Sequence, residues 1–239
     1  MKQIFVKFSF LIFIFGASIA VRAEGQAFDI VGIKPGMSYD EVREAVKKHD
    51  PSMLTRYSDT KWVSNITRQP TTIATMTFKK CSAKNSNGLG CDEEIQVTFG
   101  QTKKVAYSIT RESRNVTARR DELVSAFQAK YKINGTPLYK NNGAGVNFTV
   151  DAKGDVKTDG PSCSVNMEGN MPTSTSSACA PQIGHIFMMG NRDVVTDYTI
   201  TLTNHKLFFE SLQLDAERDK SEAEDARRKQ IGKATTQKL

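Results

Sequence analysis

Phe28-Asp29-Ile30-Val31-Gly32-Ile33-Lys34-Pro35-Gly36-Met37-Ser38-Tyr39-Asp40-Glu41-Val42-Arg43-Glu44-Ala45-Val46-Lys47-Lys48-His49-Asp50-Pro51 is the best specified local structure in the chain. It reads as a short strand feeding a capped helix. Ser38 with Glu41 three residues on makes a capping box, and Met37 and Val42 stand at the two positions of a hydrophobic staple. Val42, Ala45, Val46 and His49 form one stripe at helical spacing, and Asp50-Pro51 ends it.

What precedes this stretch places the protein. Lys2 and Lys7 flank a few apolar residues, an apolar block runs from Phe8 to Ala20, and Val21-Arg22-Ala23 precedes Glu24. That is the pattern of a secretory signal peptide over residues 1–23. Its apolar block of about 13 residues falls short of the roughly 20 a membrane span needs. No cysteine follows the cleavage site to carry a lipid, and no later stretch is apolar enough to cross a membrane. The expected location is therefore periplasmic or secreted, with no stable span after cleavage.

Loss of Lys2, Lys7 and Arg22 with the signal lowers the formal charge from +7 to +4. The remaining Lys and Arg are scattered among carboxylates. A nucleic-acid binder would carry a dense basic stripe with interleaved aromatics, so that class is disfavoured.

Beyond the first helix the chain reads as strands. Thr60 to Ile66 and Thr71 to Lys79 come first. Ile95, Val97 and Phe99 then alternate with polar residues, as do Val105, Tyr107 and Ile109 after a turn. The second half starts over. Asn115-Val116-Thr117 offers an N-cap, and Leu123, Phe127 and Tyr131 make a helical stripe. Strands are expected at 138–140, 146–150, after the turn 151–155, from Cys163, at 183–189 and at 194–203. Phe99-Gly100, four residues, then Val105 has a counterpart in Met189-Gly190, four residues, then Val195.

The expected fold is α+β: a tandem repeat of one helix packed on an antiparallel sheet of about four strands, plus a C-terminal helix. Its parts are a first repeat over 24–113, a second over 114–206, and a charged helix or tail over 207–239. In the last part Leu207, Phe208, Phe209, Leu212 and Leu214 pack on the fold, and the charged end, with Glu224 and Arg228 at pairing distance on a helix, is solvated.

The repeat suggests how the cysteines pair. Four cysteines allow three connectivities, and the exported compartment permits disulfides. Cys81 and Cys91 flank one hairpin loop, and Cys163 and Cys179 flank its counterpart. Each pair would staple a unit with a thin core.

Sequence motifs for common catalysts are missing. There is no Gly-x-Ser-x-Gly elbow, phosphate loop, dinucleotide fingerprint or His-Glu-x-x-His. His49, His185 and His205 lie on three separate elements. Asp151 and Asp155 are four apart, rather than the two of an EF-hand loop, and a hairpin turn with Gly154 explains them better than calcium. No catalytic residue, cofactor or metal is expected.

Phe28-Asp29-Ile30 and Gly32-Ile33 leading to Gly36-Met37-Ser38 and Glu41-Val42 resemble the entry segment of a group of uncharacterised exported bacterial proteins. The duplicated helix-then-sheet plan, with a hairpin disulfide in each copy, resembles the beta-lactamase inhibitor protein fold. A single unit is similar to the small lipoproteins of the outer-membrane assembly machine, without their lipidation cysteine. These resemblances imply protein binding rather than catalysis.

The expected function is an exported protein-binding or inhibitor-like module whose partner is another envelope or extracellular protein. The alternative is a hydrolase using dispersed carboxylates and a His. The sheet face away from the helices, with Thr75, Thr77, Gln96, Thr98, Ser108, Thr110, Asn147, Thr149, Thr199 and Thr201, is expected to be open for binding. Tyr57, Trp62 and Tyr139 are the candidate anchors, because interface hot spots favour large aromatics.

Overall fold

The computed structural model describes residues 28–63, 70–82, 91–133, 143–150, 155–157, 167–168, 171–172, 182–191 and 193–236. Its first helix, α1 (Tyr39–His49), starts as the sequence dictates. The Ser38 backbone N–H donates to Glu41 Oε2 at 2.8 Å, and the Glu41 N–H donates back to Ser38 Oγ at 3.4 Å. The reciprocal pair satisfies donors that a helix start would otherwise leave free.

Four strands follow: β1 (Leu54–Val63), β2 (Pro70–Lys80), β3 (Glu93–Gly100) and β4 (Ala106–Ser113). A short β5 (Ala118–Arg119) leads into α2 (Arg120–Tyr131). Next come β6 (Gly143–Val150), β7 (Val156–Lys157), β8 (Met167–Glu168), β9 (Met171–Pro172), β10 (Gln182–Gly190) and β11 (Val194–Asn204), and α3 (His205–Thr236) closes the chain.

The main sheet runs β1-β2-β3-β4-β11-β10-β6-β7, with β5 added on β11, and each pairing in it is antiparallel. β8 and β9 pair with each other separately. The strands expected of two units thus join in one sheet, through the β4–β11 contact.

One face of this sheet carries the main core. Met76, Phe78, Ile95, Val97, Phe99, Ile109, Ile186, Ile200 and Leu202 bury there against Val42 and Val46 of α1 and Val124, Phe127 and Tyr131 of α2. Period-two alternation on the strands and period-3.6 stripes on the helices bring these residues to one layer. At Gly184 the close approach is specific: a Cβ there would sit 1.9 Å from Phe148 Cζ, so the ring lies where only glycine leaves space.

Three sequence expectations need correction. The first strand is β1 at Leu54–Val63, earlier than the expected 60–66, because residues 54–63 pair with the Thr-rich β2 over ten residues without a break. The second helix starts at Arg120, not at Asn115. Residues 118–119 are taken up by pairing with β11, and Arg119 at the cap makes no side-chain capping bond. Arg120 instead fixes the helix start by donating from Nε and Nη2 to the Asn191 carbonyl at 3.0 and 2.6 Å.

The third correction concerns the sheet's other face, expected to be open. α3 lies across it, touching β11, β10, β4, β3 and β2. Thr75, Thr98, Ser108, Thr201 and Thr203 are buried. Leu207, Phe208, Phe209 and Leu212 need an apolar seat, and the small side chains of this face let a helix come close.

Cys81 and Cys91 stand at disulfide distance, with Cα atoms 4.2 Å apart, between the paired strands β2 and β3. Cys163 and Cys179, and the strand expected at 138–140, lie outside the described residues. Among the described residues no helix is long and apolar enough to cross a membrane, and no group of three or more His, Cys, Asp or Glu could hold a metal ion.

Candidate functional site

β1 is the end strand of the main sheet, and among the described residues its outer edge has no strand partner. Its side chains are mostly exposed from Leu54 to Lys61. Tyr57 stands on it, 47% exposed, on the α1 side of the sheet opposite Met76. Its ring meets Tyr39 of α1 edge-on at 5.9 Å, and Tyr39 packs on Phe99 at 4.3 Å. Partial burial, followed by hydrogen bonding to Tyr39 and Asp59, holds the Tyr57 hydroxyl above the ordinary tyrosine value. Asp59 in turn accepts from Gln101 Nε2 at 2.8 Å. One side of the ring is therefore braced by α1, and the other faces solvent.

Farther along the same edge a cavity of about 310 Å³ opens between α1 and β1. It is lined by the buried Val46, Met53 and Phe78 and by the charged Arg43, Glu44, Lys47 and Asp50. Thr55, two residues before Tyr57, also lines it. Leu54, at the strand's start, is 73% exposed.

Of the other two aromatic candidates, Trp62 lies on β1 opposite Thr71, five residues from Tyr57 on the same edge strand. Its side chain, like the whole of Tyr139, lies outside the described residues. The sheet's second face keeps an open margin beyond α3: Thr77, Gln96, Thr110 and Thr199 are half-buried, and Asn147 and His185 are exposed.

The three histidines stand apart. His49, at the end of α1, places Nε2 2.9 Å from Glu93 Oε1, and Arg111 Nε donates to that same oxygen at 2.6 Å. The Arg111 guanidinium also lies over the Tyr198 ring, 5.7 Å from its centroid. Neither His49 nor Glu93 lines the cavity beside β1.

His205, the first residue of α3, is buried against Phe208 and Phe209, and among the described residues neither ring nitrogen has a partner. The Tyr107 hydroxyl and Ser211 Oγ are buried and unpartnered under the same helix. Tyr107 reaches that side through a bulge: Thr98 pairs with Ser108 and Phe99 with Ala106, leaving Tyr107 as the extra residue. Its ring packs on Phe208 at 5.2 Å.

Sequence reasoning singled out Tyr57 as a candidate and did not anticipate the cavity, whose lining comes from α1, the turn after it, β1 and β2. The signal available was Val46 at the rear of the α1 stripe together with Met53 just after the helix stop. Compared with known proteins, the chain matches no family model, no curated protein and no solved structure.

Proposed function

We propose that this chain is an exported protein-binding module that takes an extended segment of another envelope or extracellular protein along β1. The observation that carries the reading is the open β1 edge, ten residues long, with a half-exposed tyrosine and an apolar-lined cavity beside it. An open edge offers a row of backbone donors and acceptors for strand addition, and adjoining pockets select alternate side chains. Tyr57 and Trp62 are the aromatic anchors in this reading, and Tyr139 stays a third candidate.

The proposal includes a duplicated origin for the fold, akin to the beta-lactamase inhibitor protein. Two features support it. The hairpins β3–β4 and β10–β11 meet at the middle of the sheet, and each has its register shift beside the matching glycine, Gly100 or Gly190. The outer strands do not mirror each other in chain order: β2-β1 flanks one hairpin and β6-β7 the other. The proposed second staple, Cys163 with Cys179, and a periplasmic or secreted location complete the reading.

A hydrolase is the second reading, favoured by the His49–Glu93 pair at 2.9 Å. Binding is preferred because Glu93 already serves Arg111 and the pair lies away from the cavity.

The test is capture from an envelope extract by wild type, Tyr57→Ala and Trp62→Ala, with hydrogen exchange measured along 54–63. Binding by strand addition slows exchange of the β1 amides, and both substitutions weaken capture with little change in thermal midpoint. A stability loss of roughly 3 to 5 kcal/mol for Trp62→Ala would mark a packing residue instead. Capture that leaves β1 exchange unchanged would move the site elsewhere.

A further inference from the structure

α3 covers the second face of the sheet with few apolar side chains. Among its described residues six are buried, and three of these, His205, Ser211 and Asp215, are polar; the apolar three are Phe208, Leu212 and Ala216. They recur at helical spacing and so form one stripe along the underside of the helix. Phe208 and Leu212 make a cluster of their own with Tyr107 of β4, edged by Leu207 and Phe209. Among the described residues no part of α3 belongs to the main core, which α1 and α2 close on the other face.

The seam under α3 is also poor in hydrogen bonds. The Tyr107 hydroxyl, Ser211 Oγ and both ring nitrogens of His205 are buried there and find no partner among the described residues. Burial removes these atoms from water without a replacement bond, so opening the seam restores hydration to each. The sheet beneath tolerates water. Ser108 and Thr203 bond to each other at 2.9 Å, and Thr110 and Thr201 at 3.2 Å, without help from the helix.

Polar fastenings of α3 converge on the turn between β3 and β4. Asp215 accepts the N–H groups of Gln101 and Thr102, and Glu210 pairs with Lys103. At its other end α3 continues directly from β11, and Asn204 Oδ1 accepts the Leu207 N–H at 2.9 Å, so the helix carries its own N-cap. From Lys220 to Gly232 every described side chain is exposed, and the pair expected between Glu224 and Arg228 is not made.

We propose that α3 is a releasable strap. It comes off the second face as one unit, pivoting at the β11–α3 junction, while the sheet, α1 and α2 keep their packing. Opening separates the Tyr107 cluster and releases the fastenings at 101–103, and the main core stays whole. It therefore takes less free energy than unfolding the chain. Once open, the strap leaves Thr75, Thr98, Ser108, Thr201 and Thr203 reachable from solvent in an otherwise folded protein. The strap is separate from the β1 edge and operates whether or not β1 takes a partner.

Hydrogen exchange on the full exported chain, followed as urea is raised in steps below the unfolding transition, tests it. The amides of 209–219 exchange together, about tenfold or more faster than those of β3, β4 and β11, and with a shallower dependence on urea because less surface is exposed. Two substitutions separate the strap from the core. Asp215→Ala speeds exchange of 209–219 by roughly fivefold or more. Ile109→Val, in the main core, speeds the strand amides by about two- to tenfold and leaves 209–219 unchanged, because Ile109 keeps its contacts when the strap opens. Exchange of 209–219 at the rate and urea dependence of the strands, or at the rate of unstructured chain, overturns the proposal. So does exchange of 209–219 that ignores Asp215→Ala or follows Ile109→Val as closely as the strands do.

Discussion

Asp215, on α3, accepts the backbone N–H of Thr102 at 2.6 Å, and its other carboxylate oxygen accepts the N–H of Gln101 at 2.9 Å. The carboxylate is 2% exposed and ties the covering helix to the turn between β3 and β4. Replacing it with Ala leaves two amides of that turn without their acceptor. The expected cost is about 1–3 kcal/mol, read as a lower urea midpoint with an unchanged slope. An unchanged midpoint would mean that the turn is held by other contacts.

Gly100 and Ser211 make a tighter test of the same seam. A Cβ on Gly100 would lie 2.4 Å from Ser211 Oγ and 2.5 Å from Ser211 Cβ, closer than side chains pack. Gly100→Ala should therefore shift α3 and destabilise by about 1–3 kcal/mol. Ser211→Ala removes a buried hydroxyl that has no partner, so it should leave stability equal or raise it. Thermal unfolding of the two single variants checks both signs at once.

The parts of this fold that were legible are those whose signal is local. Ser38 and Glu41 announced α1, and the alternation Ile95, Val97, Phe99 announced a half-buried strand. The covering of the second face was not legible from its own residues. Thr75, Thr98 and Ser108 are as compatible with water as with a helix, and Ser108 with Thr203 satisfies its hydroxyl within the sheet at 2.9 Å. The information lay in Phe208 and Leu212, which needed a seat, but nothing in the sequence said which face would provide it. For the candidate site, Tyr57 could be singled out by type alone. The groove beside it depends on where α1 crosses the sheet, a tertiary outcome fixed by contacts such as Tyr39 on Phe99.

The cysteines separate the hairpin geometry from the proposed duplication. A non-reducing peptide map should show Cys81 joined to Cys91, the pair at disulfide distance between β2 and β3. Replacing both with Ser should cost about 3 kcal/mol from loop closure. If the duplication holds, the same map links Cys163 to Cys179. Cys81 found with Cys163 would contradict both the geometry and the repeat.

His205 gives the fold a pH dependence whose sign can be worked out. It is 1% exposed, neither nitrogen has a partner among the described residues, and it occupies the first position of α3, where a positive charge opposes the helix dipole. Burial lowers its pKa from 6.5 to about 4. Between those values the unfolded chain binds a proton that the folded chain resists, so this residue's contribution is complete above about pH 6.5 and is lost as pH falls toward about 4. The loss is on the order of 3 kcal/mol at most. Other carboxylates titrate toward the lower end of this window, so the measurement is a difference: urea midpoints of wild type and His205→Leu at several pH values from neutral down to about 4. Leu fills the same apolar seat between Phe208 and Phe209 without a titrating group. The wild type should weaken more steeply with acid than the variant, and the gap should open below pH 6.5. Parallel pH profiles would show that His205 is protonated as readily in the folded chain as in the unfolded one, and that the seat under α3 is wet.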